Sequence, residues 1–163
     1  MKIQRYFFVI FYMLGLATAL SQGTILFNDD FKKTLIGEHV SVLTDSLNIL
    51  VLNDVVNQNH FFKPNKREIL NLGLSRNSHW LKFEVENQTN AAYLMLLIDQ
   101  ASINYIALYT KNFKGLYTSV TLGEHQQFKH RKYKHPVYLF DLDLPTGTRS
   151  TFYMKVKSDE PIN

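Results

Sequence analysis

The chain has 163 residues, enough for one domain and too few for two of ordinary size. Hydrophobic residues make up 45% and charged ones 20%, and Phe 12, Tyr 9 and Trp 1 supply the bulk of a packed core, which argues against intrinsic disorder. The absence of cysteine excludes a disulfide framework, a thiolate nucleophile and any cysteine-ligated zinc or iron–sulfur site.

Lys2 and Arg5 precede the apolar run Tyr6 to Ala17, which passes into the small residues Ala17-Thr18-Ala19-Leu20-Ser21. Basic, apolar, small is the order of a secretory signal, and 12 apolar residues fall short of the roughly 20 that span a bilayer. Ala19 and Ser21 place small residues three and one before a cut at Gln22, so residues 1–21 are expected to be a signal peptide and residues 22–163 the exported domain. Without the leader, 16 basic side chains face 14 acidic ones, too even a balance to argue for nucleic acid.

After the leader, Ile25 to Phe27 and His39 to Leu43 read as weak strands, and Asn53 could cap a single helical turn after Leu47 to Leu52. Phe61-Phe62-Lys63-Pro64-Asn65 interrupts regular structure, because proline lacks the amide hydrogen and pushes Lys63 toward extended backbone. Trp80 to Val85 then alternates Trp80, Lys82 and Glu84 against Leu81, Phe83 and Val85, a strand with one apolar face. Asn87-Gln88-Thr89-Asn90 reads as a hairpin-type connection to Ala92–Ile98, whose apolar run suits a strand covered on both faces. Ile103 to Tyr109 and Leu116 to Leu122 continue what reads as a meander of hairpins. Val137 to Leu144 puts Tyr138, Phe140, Leu142 and Leu144 on one face, and Ser150 to Val156 sets Phe152, Met154 and Val156 against Tyr153 and Lys155. The pattern predicts an all-β sandwich of about eight antiparallel strands, with a closed barrel as the competing topology.

Catalytic signatures are missing. There is no Gly-rich phosphate loop, Gly73-Leu74-Ser75 lacks the second glycine of a nucleophile elbow, and the six histidines are scattered at spacings that suit no metal pair. No metal, cofactor or enzymatic activity is expected. Glu84/Glu86 and Asp141/Asp143 each share a strand face at the spacing of paired acids, a pattern that solvated strand faces produce more often than glycosidases do.

Candidate binding residues lie on the same strand faces. Trp80 among Lys82 and Glu84 has no packing role if Leu81, Phe83 and Val85 supply the core; an indole flanked by charges suits stacking on a sugar ring while the charges bond its hydroxyls. The alternative at this position is a tryptophan packed under a loop. Tyr153 and Lys155 repeat the aromatic-plus-cation pairing. Between residues 129 and 135, Lys129, Arg131 and Lys132 form a candidate anion-binding cluster, for which a solvated loop is the alternative.

Ile36 to Asp45, Phe62-Lys63-Pro64, Asn71 to Ser75 and His79 to Asn87, followed by Ile103 to Tyr109, Leu122-Gly123-Glu124, Arg131 and Tyr153 to Ser158, make the chain resemble the type-2 extracellular sensor domain of bacterial seven-transmembrane receptors with diverse intracellular signalling modules. The resemblance covers about residues 24 to 160. It implies a jelly-roll sandwich similar to carbohydrate-binding modules, in the periplasm or on the outer face of the cytoplasmic membrane. It implies further that transmembrane and signalling modules are expected beyond residue 163. Lysines stand at 82 and 155 where the family commonly has arginine; they keep the charge without the planar fork. The expected function is therefore an extracytoplasmic sensor domain that binds a carbohydrate-like small molecule. A non-liganded interaction or homodimerisation module is the alternative.

Overall fold

A computed structural model describes residues 23–30 and 33–162. The signal peptide expected at residues 1–21 lies outside them. Among the described residues nine strands form two layers. The larger sheet contains β1 (Ile25–Phe27), β2 (Ser41–Asp45), β3 (Lys63–Pro64), β4 (Ser78–Asn87), β6 (Tyr105–Lys111), β7 (Tyr117–Leu122) and β9 (Arg149–Lys157), and the smaller one contains β5 (Tyr93–Ile98) and β8 (Tyr138–Asp143).

The larger sheet runs in the order β3-β2-β4-β9-β6-β7, and β4 is its longest strand. One edge of β4 takes β2 along Ser78 to Lys82 and β1 along Val85 to Asn87, while its other edge pairs with β9 from His79 to Glu86. All pairings are antiparallel except β1 with β4, which is parallel, so the expectation of a wholly antiparallel sheet is corrected at its first strand.

The meander is corrected too. Only β6 and β7 are neighbours in both sequence and sheet from Leu81 onward; β5 leaves for the second layer and pairs with β8, with β6 and β7 between them in sequence, from Ile98 against Tyr138 to Tyr93 against Asp143. The reason lies at Asn87, which is fully buried. Its amide donates to the carbonyls of Ala91 and Leu144, both at 2.7 Å, and its Oδ1 accepts from the Thr89 amide at 2.9 Å and the Thr89 hydroxyl at 2.7 Å. These four bonds satisfy the side chain completely and turn the chain out of one sheet and into the other. The Asn87 to Asn90 connection is thus a crossing between layers.

The core lies between the layers and follows the two-residue period. Leu81, Phe83 and Val85 of β4, Phe152, Met154 and Val156 of β9, and Ile106 and Leu108 of β6 meet Leu96 of β5 and Tyr138, Phe140 and Leu142 of β8. Phe83 and Phe152 stack at 5.5 Å between ring centres, a paired arrangement worth about 0.5–1.5 kcal/mol beyond the area buried. Tyr138 reaches through the core to donate to Ala101 and Ile103 carbonyls at 2.5 and 3.1 Å. The other face of β5 is open: Tyr93, Met95 and Leu97 are 62%, 48% and 42% exposed, so this strand is not covered on both faces as its apolar run suggested.

Candidate functional site

A second, smaller cluster sits on the far face of the larger sheet. After β2, Asp45 is buried and accepts the backbone amides of Ile49 and Leu50 at 3.2 and 3.0 Å, which turns the chain back over its own sheet. Asn48 adopts φ 56°, a left-handed conformation that asparagine tolerates, and its Oδ1 accepts the Ser78 amide. Helix α1 (Leu52–Asn57) follows, and the acid that closes its first turn is Asp54, bonded to the Val51 amide at 3.0 Å, rather than Asn53. Val55 of α1, with Leu50, Leu52, Val56 and Phe62 around it, packs on Trp80, Tyr153, Tyr109 and Tyr117.

The register brings the predicted residues together. Trp80 lies opposite Lys155, and Lys82 opposite Tyr153, while Glu84 faces Thr151, so Trp80, Lys82, Glu84, Tyr153 and Lys155 form one patch on two adjacent strands. Their alternation puts all five on the face turned away from the main core.

That patch has two unlike halves. At the aromatic end Trp80 is 0% exposed and Tyr153 3%, and the indole sits 5.5 Å from the Tyr109 ring. Lys155 donates to the Leu50 carbonyl at 3.0 Å, lies 3.9 Å from Asp45 Oδ2, and places its ammonium 5.2 Å from the indole ring centre. It straps β9 to the covering segment, and its cation–π contact occupies an indole face. Burial, and secondarily the neighbouring Tyr105, pushes the Tyr109 phenol up to about 12; burial, and secondarily Tyr117, does the same for Tyr153. Both are neutral over the physiological range. A fully buried indole has no face left for a sugar ring, so stacking on Trp80 is replaced by the packing role weighed as the alternative. The side chain's surroundings are set by residues 47–62, far from Trp80 in sequence.

At the polar end Lys82 is half-buried and Glu84 is 35% exposed. Glu84 accepts from the Thr24 hydroxyl, stands 3.5 Å from the Thr151 hydroxyl, and lies 3.5 Å from the Arg149 guanidinium. Arg149 bonds Glu86 at 2.6 Å, and hydrogen bonds from Gln88 and Arg149 hold the Glu86 carboxyl below its ordinary range. The acid pair Glu84/Glu86 is thus shared around one guanidinium. Asp141 is likewise bonded, by Lys132 at 2.6 Å and the Tyr133 hydroxyl at 2.5 Å, which hold it below the usual carboxylate range. Among the described residues Lys82 makes no ion pair.

The basic stretch does not form one open cationic patch. Lys129 is exposed, Lys132 is bound to Asp141, and Arg131 folds inward. Arg131 donates to the His135 and Pro136 carbonyls at 3.0 and 3.2 Å and sits over the rings of Tyr138 and Phe128 at 4.6 and 5.1 Å. Beside it, between β7 and β8, opens a cavity of about 190 Å³ whose walls include Val120, Leu122, Tyr133 and Leu139. Sequence reasoning missed this cavity, because its walls come from the last strand of one sheet, a strand of the other sheet and a loop that no local pattern links. Among the described residues no three His, Asp or Glu side chains gather to hold a metal, and the buried His79 meets only the Thr44 hydroxyl, at 3.3 Å.

A two-layer β domain with a half-open polar strip on one sheet and a small cavity at that sheet's far edge has the architecture of a sensing or binding module. The chain belongs to the 7TMR-DISM extracellular 2 family, whose model matches residues 37–163. The family is the extracellular sensor domain of seven-transmembrane receptors with intracellular signalling modules, so the domain lies outside the cytoplasmic membrane and its role is sensory. No curated protein matches the chain. Among the described residues no helix is long and apolar enough to cross a membrane.

Proposed function

We propose that this sensor domain detects a carbohydrate-like small molecule on the outer face of β4 and β9. Lys82 and Glu84 are the contact residues, and Trp80, Tyr153 and Lys155 form the layer beside them that couples the ligand to residues 47–62. The observation that carries the reading is the division of one strand face: Lys82 and Glu84 stand half-open immediately beside a buried aromatic layer held down by a single short segment. An ammonium and a carboxylate a strand-pleat apart suit the donors and acceptors of a polyol, and no chemistry is required of them. A ligand that reaches them meets the edge of the 47–62 cover, and a change in how that cover packs is the signal. Residues 22–163 act as the exported domain, with residues 1–21 removed.

The test is thermal unfolding across neutral and acidic mono- and oligosaccharides. A ligand selective for the folded state stabilises by about 2.7 kcal/mol at a hundred times its Kd. At least one sugar is expected to raise Tm, with the rise lost in Lys82→Ala and Glu84→Gln. A flat response across the panel in folded protein would sink the reading.

A second reading, homodimerisation, has its own observation. β5 is an edge strand whose six residues, Tyr93 to Ile98, carry no charge and no proline, the features that usually blunt an edge. Two copies related by a two-fold axis perpendicular to the sheet could pair β5 antiparallel with itself, keeping Tyr93, Met95 and Leu97 on one face. Sedimentation at increasing concentration is expected to show a dimer that Met95→Lys abolishes; a monomer throughout would eliminate it.

A further inference from the structure

The cavity between β7 and β8 is distinct from the Lys82–Glu84 strip on the central strands β4 and β9, lying at the β7 edge of the larger sheet with β6 between. We propose that it is a second ligand site, for a small carboxylate with a compact apolar body, held by Arg131.

Three observations carry this. First, the Arg131 Nε is buried and has no acceptor, although the same guanidinium gives another nitrogen to the His135 and Pro136 carbonyls. Leaving a buried guanidinium donor unmatched is costly, whereas a carboxylate supplies the charge and the planar geometry that a guanidinium matches. Second, the remaining cations on the wall are already arranged: Lys132 is neutralised by Asp141, which Tyr133 also bonds, so the charge available to an incoming anion is concentrated on Arg131. Third, Val120, Leu122, Val137 and Leu139 give the wall an apolar side that offers contact to a hydrocarbon body, beside the polar Thr121 and His130. The volume, about 190 Å³, lies well below the roughly 300–1,000 Å³ of sites for drug-sized molecules yet far above that of one water. That restricts the ligand to a single ring or a short chain.

The position suits a regulator. The guanidinium rests against Tyr138, whose hydroxyl bonds the Ala101 and Ile103 carbonyls in the core, so an anion drawn to Arg131 acts on a residue that joins the loop after β7 to the sandwich interior.

The experiment uses benzoate and butyrate as probes, titrated calorimetrically into the full chain at constant ionic strength set with chloride. Val120 is 57% exposed, so replacing it changes the cavity mouth without removing a core residue. Saturable binding of benzoate is expected, weakened at least tenfold in Val120→Glu by like-charge repulsion and retained in Val120→Lys. Arg131→Lys, which keeps the charge and removes Nε, is expected to weaken it as well. Lys82→Ala should leave benzoate binding unchanged, which separates this site from the sugar strip. Absence of saturable binding, or equal affinity in Val120→Glu and Val120→Lys, would overturn the proposal.

Discussion

The two faces of β4 are built on the same alternation and end differently. Leu81, Phe83 and Val85 meet a second sheet along their whole length, whereas Trp80, Lys82 and Glu84 meet a sixteen-residue segment at one end and solvent at the other. Where the other layer covers the middle of β4 the face is apolar, and its polar residues, His79 and Asn87, stand toward the two ends of the strand. A face covered by one helical turn and its flanks needs apolar residues only where the cover reaches, so an aromatic and two charges share one strand face without conflict. The boundary between covered and open surface runs between Trp80 and Lys82.

The comparison is sharpest when both faces lose equivalent bulk. Trp80→Ala and Phe83→Ala are each expected to cost about 3–5 kcal/mol, the range for large aromatic side chains removed from cores. Their near-equality by denaturant unfolding would place Trp80 in a true core; a Trp80→Ala loss within about 0.5 kcal/mol, the level of an ordinary surface change, would break the comparison.

The cover hangs on Asp45. Its carboxylate accepts two part-buried amides and has Lys155 nearby, so Asp45→Ala leaves both amides without their acceptor and is expected to cost about 1–3 kcal/mol in all. The loss should come with faster hydrogen exchange over residues 49–62 and little change at β6 and β8, since the main core does not depend on this turn.

Next in size is a pH effect. Burial lowers the pKa of His79, on the core face of β4, below its ordinary value, and the folded state therefore prefers the neutral ring. The unfolded state binds more protons below about pH 6.5, so stability is complete above that value and falls as pH drops through the depressed folded pKa. Tm is expected to decline between pH 7 and 5 in the natural chain, and to decline less in His79→Gln. Glu86 and Asp141, both held below the carboxylate range, contribute only nearer pH 4, outside this window. An identical slope in both proteins would remove His79 from the account.

The smallest effect belongs to the open end. The Arg149–Glu86 pair is solvent-exposed and screened by salt, so Glu86→Gln should barely move Tm, and any difference should vanish at high ionic strength.

Much of this was legible in the sequence, for a definite reason. Alternation within a strand is local, so the apolar faces of β4, β8 and β9, the placement of Tyr153 and Lys155 opposite Phe152 and Met154, and the all-β class could be read from runs of six to ten residues. Pairing partners are not local. Whether Ala92 to Ile98 folds back on β4 or crosses to the other layer depends on Asn87 reaching the carbonyl of Leu144, 57 residues away, and no pattern near Asn87 announces it. The fate of Trp80 is of the same kind: charged neighbours in sequence suggested exposure, while its neighbours in space come from α1 and from strands β2, β6 and β9. Arg131 was visible as one charge among several, but its inward turn depends on Phe128 and Tyr138 lying on either side of the loop.

Trp80 is the chain's only tryptophan, so its fluorescence reports on the boundary directly and without interference. With the indole buried beneath residues 47–62, the account predicts a blue-shifted emission maximum and slow acrylamide quenching in the ligand-free protein, both reversed in Asp45→Ala, where the cover is released. A red-shifted, readily quenched emission from the folded natural chain would contradict it, because the indole would then lie open on the sheet and the division of the β4 face into a covered half and a sensing half would be lost.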